Sequence, residues 1–119
     1  MKIHYPAEQA VSVWIGTFST ENDFDQSVDQ DVAKRLGLKT PIESICEISF
    51  EVERIGLREL LQGFSGWETF IENATNAANK LGVTSANAAL VCYYLKCEDA
   101  PTNWGRLCFL GSFAGQDVQ

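Results

Sequence analysis

The sequence predicts one domain of the α+β class, a mixed α/β sandwich in which helices pack on a small, mainly antiparallel sheet. Its 119 residues fit a single domain, and 45% of them are hydrophobic, which is enough for a core. Strand-like and helix-like patterns follow one another in the order β-α-(α)-β-α-α-β-β. We expect the domain to cover residues 11–114, after an N-terminal extension (1–10) and before a frayed tail (115–119).

The first strand and the first helix are predicted from local signals. Residues 11–18 are rich in β-branched and aromatic side chains, which is typical of a buried strand. Ser19 and Thr20 both offer an N-cap, and Thr20 precedes Asp23 by three positions, the spacing of a capping box, so we expect a helix to begin there and to continue through Val28. A second helical turn is predicted over residues 32–36, because a glycine follows it.

Residues 46–53 show the clearest alternation in the chain. The apolar members, expected to face the core, are Cys46, Ile48, Phe50 and Val52. The polar members, expected on the opposite face, are Glu47, Ser49, Glu51 and Glu53. The pattern predicts a half-buried strand with a row of three carboxylates on its solvent-exposed face.

The second half of the chain supplies two helices and two strands. Residues 57–62 predict a short helix, and the apolar residues of 67–81 recur at helical spacing until Gly82. The near-continuous apolar run at 88–97 predicts a central strand that is covered on both faces. Residues 106–113 are expected to return beside it as the second strand of a hairpin.

Charge and hydropathy limit the partners and the location. Sixteen acidic and nine basic side chains give a net charge of −7, and residues 1–60 carry eleven of the acidic ones. An acidic protein repels nucleic acid and anionic membranes, so we expect neither as a partner and expect a basic protein instead. Solubility alone also explains such a composition. The first residues lack the apolar run of a secretory signal, which predicts a cytoplasmic protein.

The four cysteines are predicted to be reduced. Cys46, Cys92, Cys97 and Cys108 all lie in apolar, strand-like segments, where a free cysteine behaves as a small hydrophobic residue. The one close pair has the spacing C-x4-C without a second pair or a nearby histidine, which is a poor zinc signature. Cytosolic proteins rarely keep disulfides.

Catalytic signatures are absent from the sequence. His4 is the one histidine, and its terminal position makes it a poor general base. Phosphate-binding glycine loops are missing, and the aspartates of residues 23–31 do not follow the calcium-binding pattern of an EF-hand. We therefore expect no enzymatic activity, no cofactor and no metal. The alternative is a small cytosolic enzyme or ligand-binding domain whose site is assembled from residues distant in sequence.

Several short segments resemble the bacterial immunity protein 22 family. They are Val11–Phe18 with Phe24, Gly63-Phe64-Ser65 with Phe70-Ile71, Gly82–Ala88 and Leu107–Phe113. The resemblance extends over about residues 11–113 and is loosest over 27–57. It implies an antidote that binds and neutralises a cognate polymorphic toxin domain, often a nuclease with a basic active-site surface.

An acidic surface would suit such a toxin, and the expected contact residues are chosen accordingly. They are Asp23, Asp25, Asp29, Asp31, Glu47, Glu51 and Glu53. Trp104 follows a polar turn and is expected to be partly exposed, either as an interface anchor or as the residue that closes the hairpin. Ordinary solvated surface is the alternative for each carboxylate, and the oligomeric state stays open.

Overall fold

A computed structural model describes residues 1–115, so the predicted frayed tail lies outside the described residues except for Gly115. The strands are β1 (Lys2–His4), β2 (Ala10–Gly16), β3 (Cys46–Gly56), β4 (Ser85–Tyr93), β5 (Lys96–Glu98), β6 (Asn103–Trp104) and β7 (Leu107–Ala114). The helices are α1 (Glu21–Ser27), α2 (Lys34–Leu36), α3 (Leu57–Leu61) and α4 (Ile71–Lys80). A π-helical turn (Val28–Ala33) joins α1 to α2, and 3-10 turns occupy Ile42–Ser44 and Trp67–Thr69. Helices packed on antiparallel sheets confirm the predicted α+β class.

The main sheet has five antiparallel strands in the order β3-β4-β2-β7-β6. The predicted hairpin is wrong, because β2 lies between β4 and β7 and pairs with both. The apolar run at 88–97 is also not one strand. Tyr94 adopts a positive φ of 60°, which ends β4 and turns the chain into β5. There β5 pairs with β1, so residues 2–4 of the predicted N-terminal extension form a strand.

Helices cover both faces of the main sheet. On one face α3 and α4 pack against side chains of β2 and β4 that include Val13 and Val91. On the other face the continuous helical segment 21–36 packs against Trp14 and Leu90. The alternation of a central strand explains this arrangement, since successive side chains of β2 enter opposite cores.

The helical segment 21–36 begins and ends at the predicted residues. The Oγ1 atom of Thr20 accepts a hydrogen bond of 3.1 Å from the backbone N–H of Asp23, which confirms Thr20 as the N-cap. Phe24 is fully buried and anchors the segment to the sheet. Gly37 ends it with a φ of 62°, a left-handed conformation that glycine adopts without strain.

Strand β3 lies at an edge of the sheet, and this changes the predicted burial. Ile48 is 52% exposed and Val52 is 89% exposed, although the alternation predicted both in the core. The pairing with β4 jumps from Phe50 opposite Ala88 to Ile55 opposite Ala86, so four residues bulge outward between them. Alternation does not show which side chains of an edge strand another element covers, and Ile48 and Val52 are left exposed.

Cys46 and Cys92 form a disulfide, so the prediction of four reduced thiols is wrong. Strands β3 and β4 place these residues directly opposite each other, with a Cα–Cα distance of 4.1 Å. Nothing in the local sequence reveals this pairing, because the two cysteines are 46 residues apart. Cys97 and Cys108 are free thiols, and burial raises the pKa of Cys97 to about 11.

Candidate functional site

A groove of about 380 Å³ lies between the helical segment 21–36 and the edge strand β3. Its acidic lining residues are Asp25 and Asp29, four positions apart on the helical segment, and Glu43 on the first 3-10 turn. Positions four apart share one helix face, which brings the two aspartates to the same side. None of the ion pairs formed within residues 1–115 involves these three carboxylates.

The remainder of the groove is apolar. Val28 and Ile42 line it from the helical side, Leu90 lines it from β4, and Cys46 and Ile48 line it from β3. The groove therefore combines a hydrophobic floor with carboxylates. This combination suits a ligand that carries both an aliphatic part and a positive charge.

The bulge of β3 lies farther along the same edge strand. It consists of Glu51, Val52, Glu53 and Arg54, and all four side chains are exposed. The ring of Phe50, immediately before the bulge, stacks on Phe24 of α1 with centroids 6.3 Å apart. The bulge and the groove are therefore neighbours along one edge of the sheet, which we call the acidic edge.

Of the predicted contact residues, Asp25, Asp29, Glu51 and Glu53 lie on the acidic edge. Asp23 and Asp31 are partly buried. The backbone N–H of Asp23 donates a hydrogen bond to the Thr20 side chain, a role that does not involve its carboxylate. Asp31 has a structural role, since its Oδ2 atom accepts a 2.7 Å hydrogen bond from Ser27 Oγ. Gly105 has a φ of 63°, and a Cβ atom there would lie 2.2 Å from Asp31, so this carboxylate sits against backbone.

Glu47 belongs to the other face of the sheet and is not part of a solvent-exposed row. One carboxylate oxygen accepts hydrogen bonds from the Ser65 N–H and the Tyr93 hydroxyl, at 2.8 and 2.6 Å. The other oxygen accepts a 2.8 Å bond from the Ser65 hydroxyl. Burial raises the pKa of this carboxyl, but the bonds from Tyr93 and Ser65 together outweigh it and lower the pKa.

We expect Glu47→Gln to lower the free energy of unfolding by about 1–2 kcal/mol at pH 7, because it replaces charge-assisted hydrogen bonds with neutral ones. The pKa is lower in the folded state, so the advantage of Glu47 exists above its ordinary pKa of 4.5 and is lost as pH falls through the lowered value. Urea unfolding at several pH values measures this. The exposed Glu51→Gln is the control and should change stability by less than about 0.5 kcal/mol. An equal cost at pH 3 and pH 7 would contradict the assignment.

Trp104 is fully buried, so the expectation of a partly exposed interface anchor is wrong. Its ring meets Trp14 edge-on, with centroids 5.2 Å apart, and its Nε1 atom donates a 2.7 Å hydrogen bond to the Pro101 carbonyl. The Arg35 guanidinium lies 5.0 Å from the centre of the ring. The helical segment 21–36 therefore closes over a tryptophan that the polar turn had suggested was exposed.

Sequence reasoning missed three residues of the acidic edge. Glu43 stood alone in a segment without periodicity and gave no signal. Ile48 and Val52 were assigned to the core because alternation distinguishes the two faces of a strand but not a covered strand from an edge strand. A sequence signal existed only in the crowding of charge around Val52, which has a glutamate on either side.

The described residues hold no group of three or more His, Cys, Asp or Glu side chains that could bind a metal ion. No helix within residues 1–115 is long and apolar enough to cross a membrane. No protein-family model matches the chain, and no curated protein or solved structure is significantly similar to it.

Proposed function

We propose that this protein is an immunity protein that binds and neutralises a cognate polymorphic toxin domain with a basic surface. The observation that carries the proposal is the acidic edge, where exposed carboxylates and exposed apolar side chains occur together on a sheet edge. The sequence resemblance described above supports the same function. In this proposal the protein acts stoichiometrically in the cytoplasm of the producing cell and needs no cofactor.

The chemistry of the acidic edge fits a protein partner. Carboxylates accelerate association with a basic surface, and they act over distances set by the ionic strength. Exposed Ile48 and Val52 add apolar area that gains free energy only when a partner covers it. A nuclease surface built to hold phosphates would offer the required positive charge.

Co-expression with the toxin domain encoded beside this chain tests the proposal. We expect restored growth of the host and co-purification of a one-to-one complex. Cell death without co-purification would reject the immunity function. It would direct attention to the alternative of a ligand-binding domain or small enzyme.

The double reversal Glu51→Lys with Glu53→Lys should slow association with the toxin domain about tenfold at low salt and flatten the salt dependence of the rate. Both side chains are exposed on the bulge, so folding should be preserved. Stopped-flow or surface-plasmon measurements at several salt concentrations give the rate. The matched control is Glu59→Lys with Glu68→Lys, two exposed positions on α3 and on the second 3-10 turn that change the net charge equally. Equal slopes for the two double variants would contradict an acidic-edge interface.

A further inference from the structure

We infer that the groove beside β3 receives an arginine or lysine side chain from an extended segment of a protein partner, and that this segment pairs with β3. The inference rests on the proposed function and specifies where and how the partner binds.

The free edge of β3 offers backbone hydrogen-bonding groups. Strand β3 pairs with β4 on one side and with no strand of residues 1–115 on the other. The Ile45 carbonyl accepts a 2.9 Å hydrogen bond from the Tyr93 N–H, so these two residues form a hydrogen-bonded pair. Such pairs alternate along an antiparallel ladder, so Cys46 and Ile48 direct their N–H and C=O groups away from β4. An extended peptide can use these groups to add a strand.

The groove lies where a side chain of such an added strand would enter. A neighbouring strand runs about 4.8 Å from β3 and points alternate side chains to each face. On the face of the helical segment 21–36, the side chain beside Ile48 would lie over the groove. Its aliphatic stem would contact Ile48 and Val28, while its charged end would reach Asp25 and Asp29.

The charges around the groove select the occupant. With Glu43, three carboxylates border the groove, and no cation of residues 1–115 pairs with any of them. An acidic segment, and equally a second copy of this chain with its net charge of −7, would add repulsion at this position. A guanidinium or ammonium group on an aliphatic stem satisfies both the carboxylates and the apolar floor.

A defined probe tests the groove without the toxin. The full-length, ¹⁵N-labelled chain is titrated with a capped pentapeptide that has arginine between two valines, and with the same peptide carrying citrulline. We expect chemical-shift changes at the amides of residues 25–29 and 43–48, and clearly weaker binding of the neutral citrulline peptide. A peptide N-methylated at the arginine should also bind more weakly, because in antiparallel pairing the residue opposite Ile48 is the one whose N–H bonds β3.

Two pairs of variants test the same site from the side of the protein. The double variant Asp25→Asn with Asp29→Asn should lower the affinity for the arginine peptide roughly 3- to 10-fold. The exposed control, Glu59→Gln with Glu68→Gln, should leave this affinity unchanged. Ile48→Thr should weaken binding, whereas Val52→Thr, outside the groove lining, should not. Equal affinities for arginine and citrulline, or shifts mapping elsewhere, would overturn the inference.

The complex with the toxin domain separates this inference from the proposed function. If the toxin binds and the Asp25/Asp29 variant weakens the complex, both stand. If the toxin binds that variant with unchanged affinity but binds the Glu51→Lys, Glu53→Lys variant more weakly, the groove inference is rejected and the proposed function stands. If no toxin complex forms, the proposed function fails, and the peptide titration still reports on the groove.

Discussion

Trp104→Ala is expected to lower the free energy of unfolding by about 3–5 kcal/mol, a cost typical of deleting a large buried aromatic side chain. The ring is fully buried, packs against Trp14 and Phe109, and carries Arg35 on one face. Its Nε1–H is also satisfied inside the protein, by the Pro101 carbonyl. Truncation leaves a cavity beneath β6, the two-residue edge strand that carries Trp104. Urea unfolding followed by circular dichroism measures the loss.

Two further substitutions make the Trp104 result specific. Trp104→Phe should cost less, because it keeps an aromatic ring in the cluster while losing the hydrogen bond to Pro101. Val52→Ala should change stability by less than about 0.5 kcal/mol, because this side chain is 89% exposed. A cost below about 1 kcal/mol for Trp104→Ala would contradict the burial of Trp104 and would favour the partly exposed position predicted from the sequence.

Reduction of the Cys46–Cys92 disulfide should lower the free energy of unfolding by about 2–4 kcal/mol. The bond closes a long loop, since the two residues are 46 positions apart, and a cross-link of this span restricts the unfolded chain substantially. It also joins the edge strand β3 to β4, which contributes Leu90 to the groove lining. Urea unfolding with and without reductant measures the change.

The double variant Cys46→Ala with Cys92→Ala is the control, because its stability should no longer respond to reductant. Titration of the denatured, unreduced chain should find two free thiols, Cys97 and Cys108. Four free thiols together with an unfolding midpoint insensitive to reductant would contradict the disulfide. Disulfides persist mainly in oxidising compartments. Alkylation of the protein's free thiols in intact cells, before lysis, therefore also tests the proposed cytoplasmic location.

The α+β class and several element boundaries could be predicted from the amino-acid sequence, since they depend on short-range interactions. Thr20 caps α1 because its side chain reaches an N–H three residues away, and Gly37 ends the helical segment through its own left-handed backbone. Charge, together with strand alternation for Glu51 and Glu53, predicts Asp25, Asp29, Glu51 and Glu53 on the surface, and the structure exposes them. These features need only a few neighbouring residues to form.

Tertiary structure alone decided which strand is an edge, which tryptophan is buried and which cysteines meet. Alternation predicts the two faces of β3 but contains no information on how many neighbours the strand has, so Ile48 and Val52 were misplaced. Trp104 is buried by Trp14 and Arg35, which lie some 70 to 90 positions away in the chain. Cys46 meets Cys92 through the β3–β4 register. Such long-range pairings have no local signature, because they result from the packing of the whole domain.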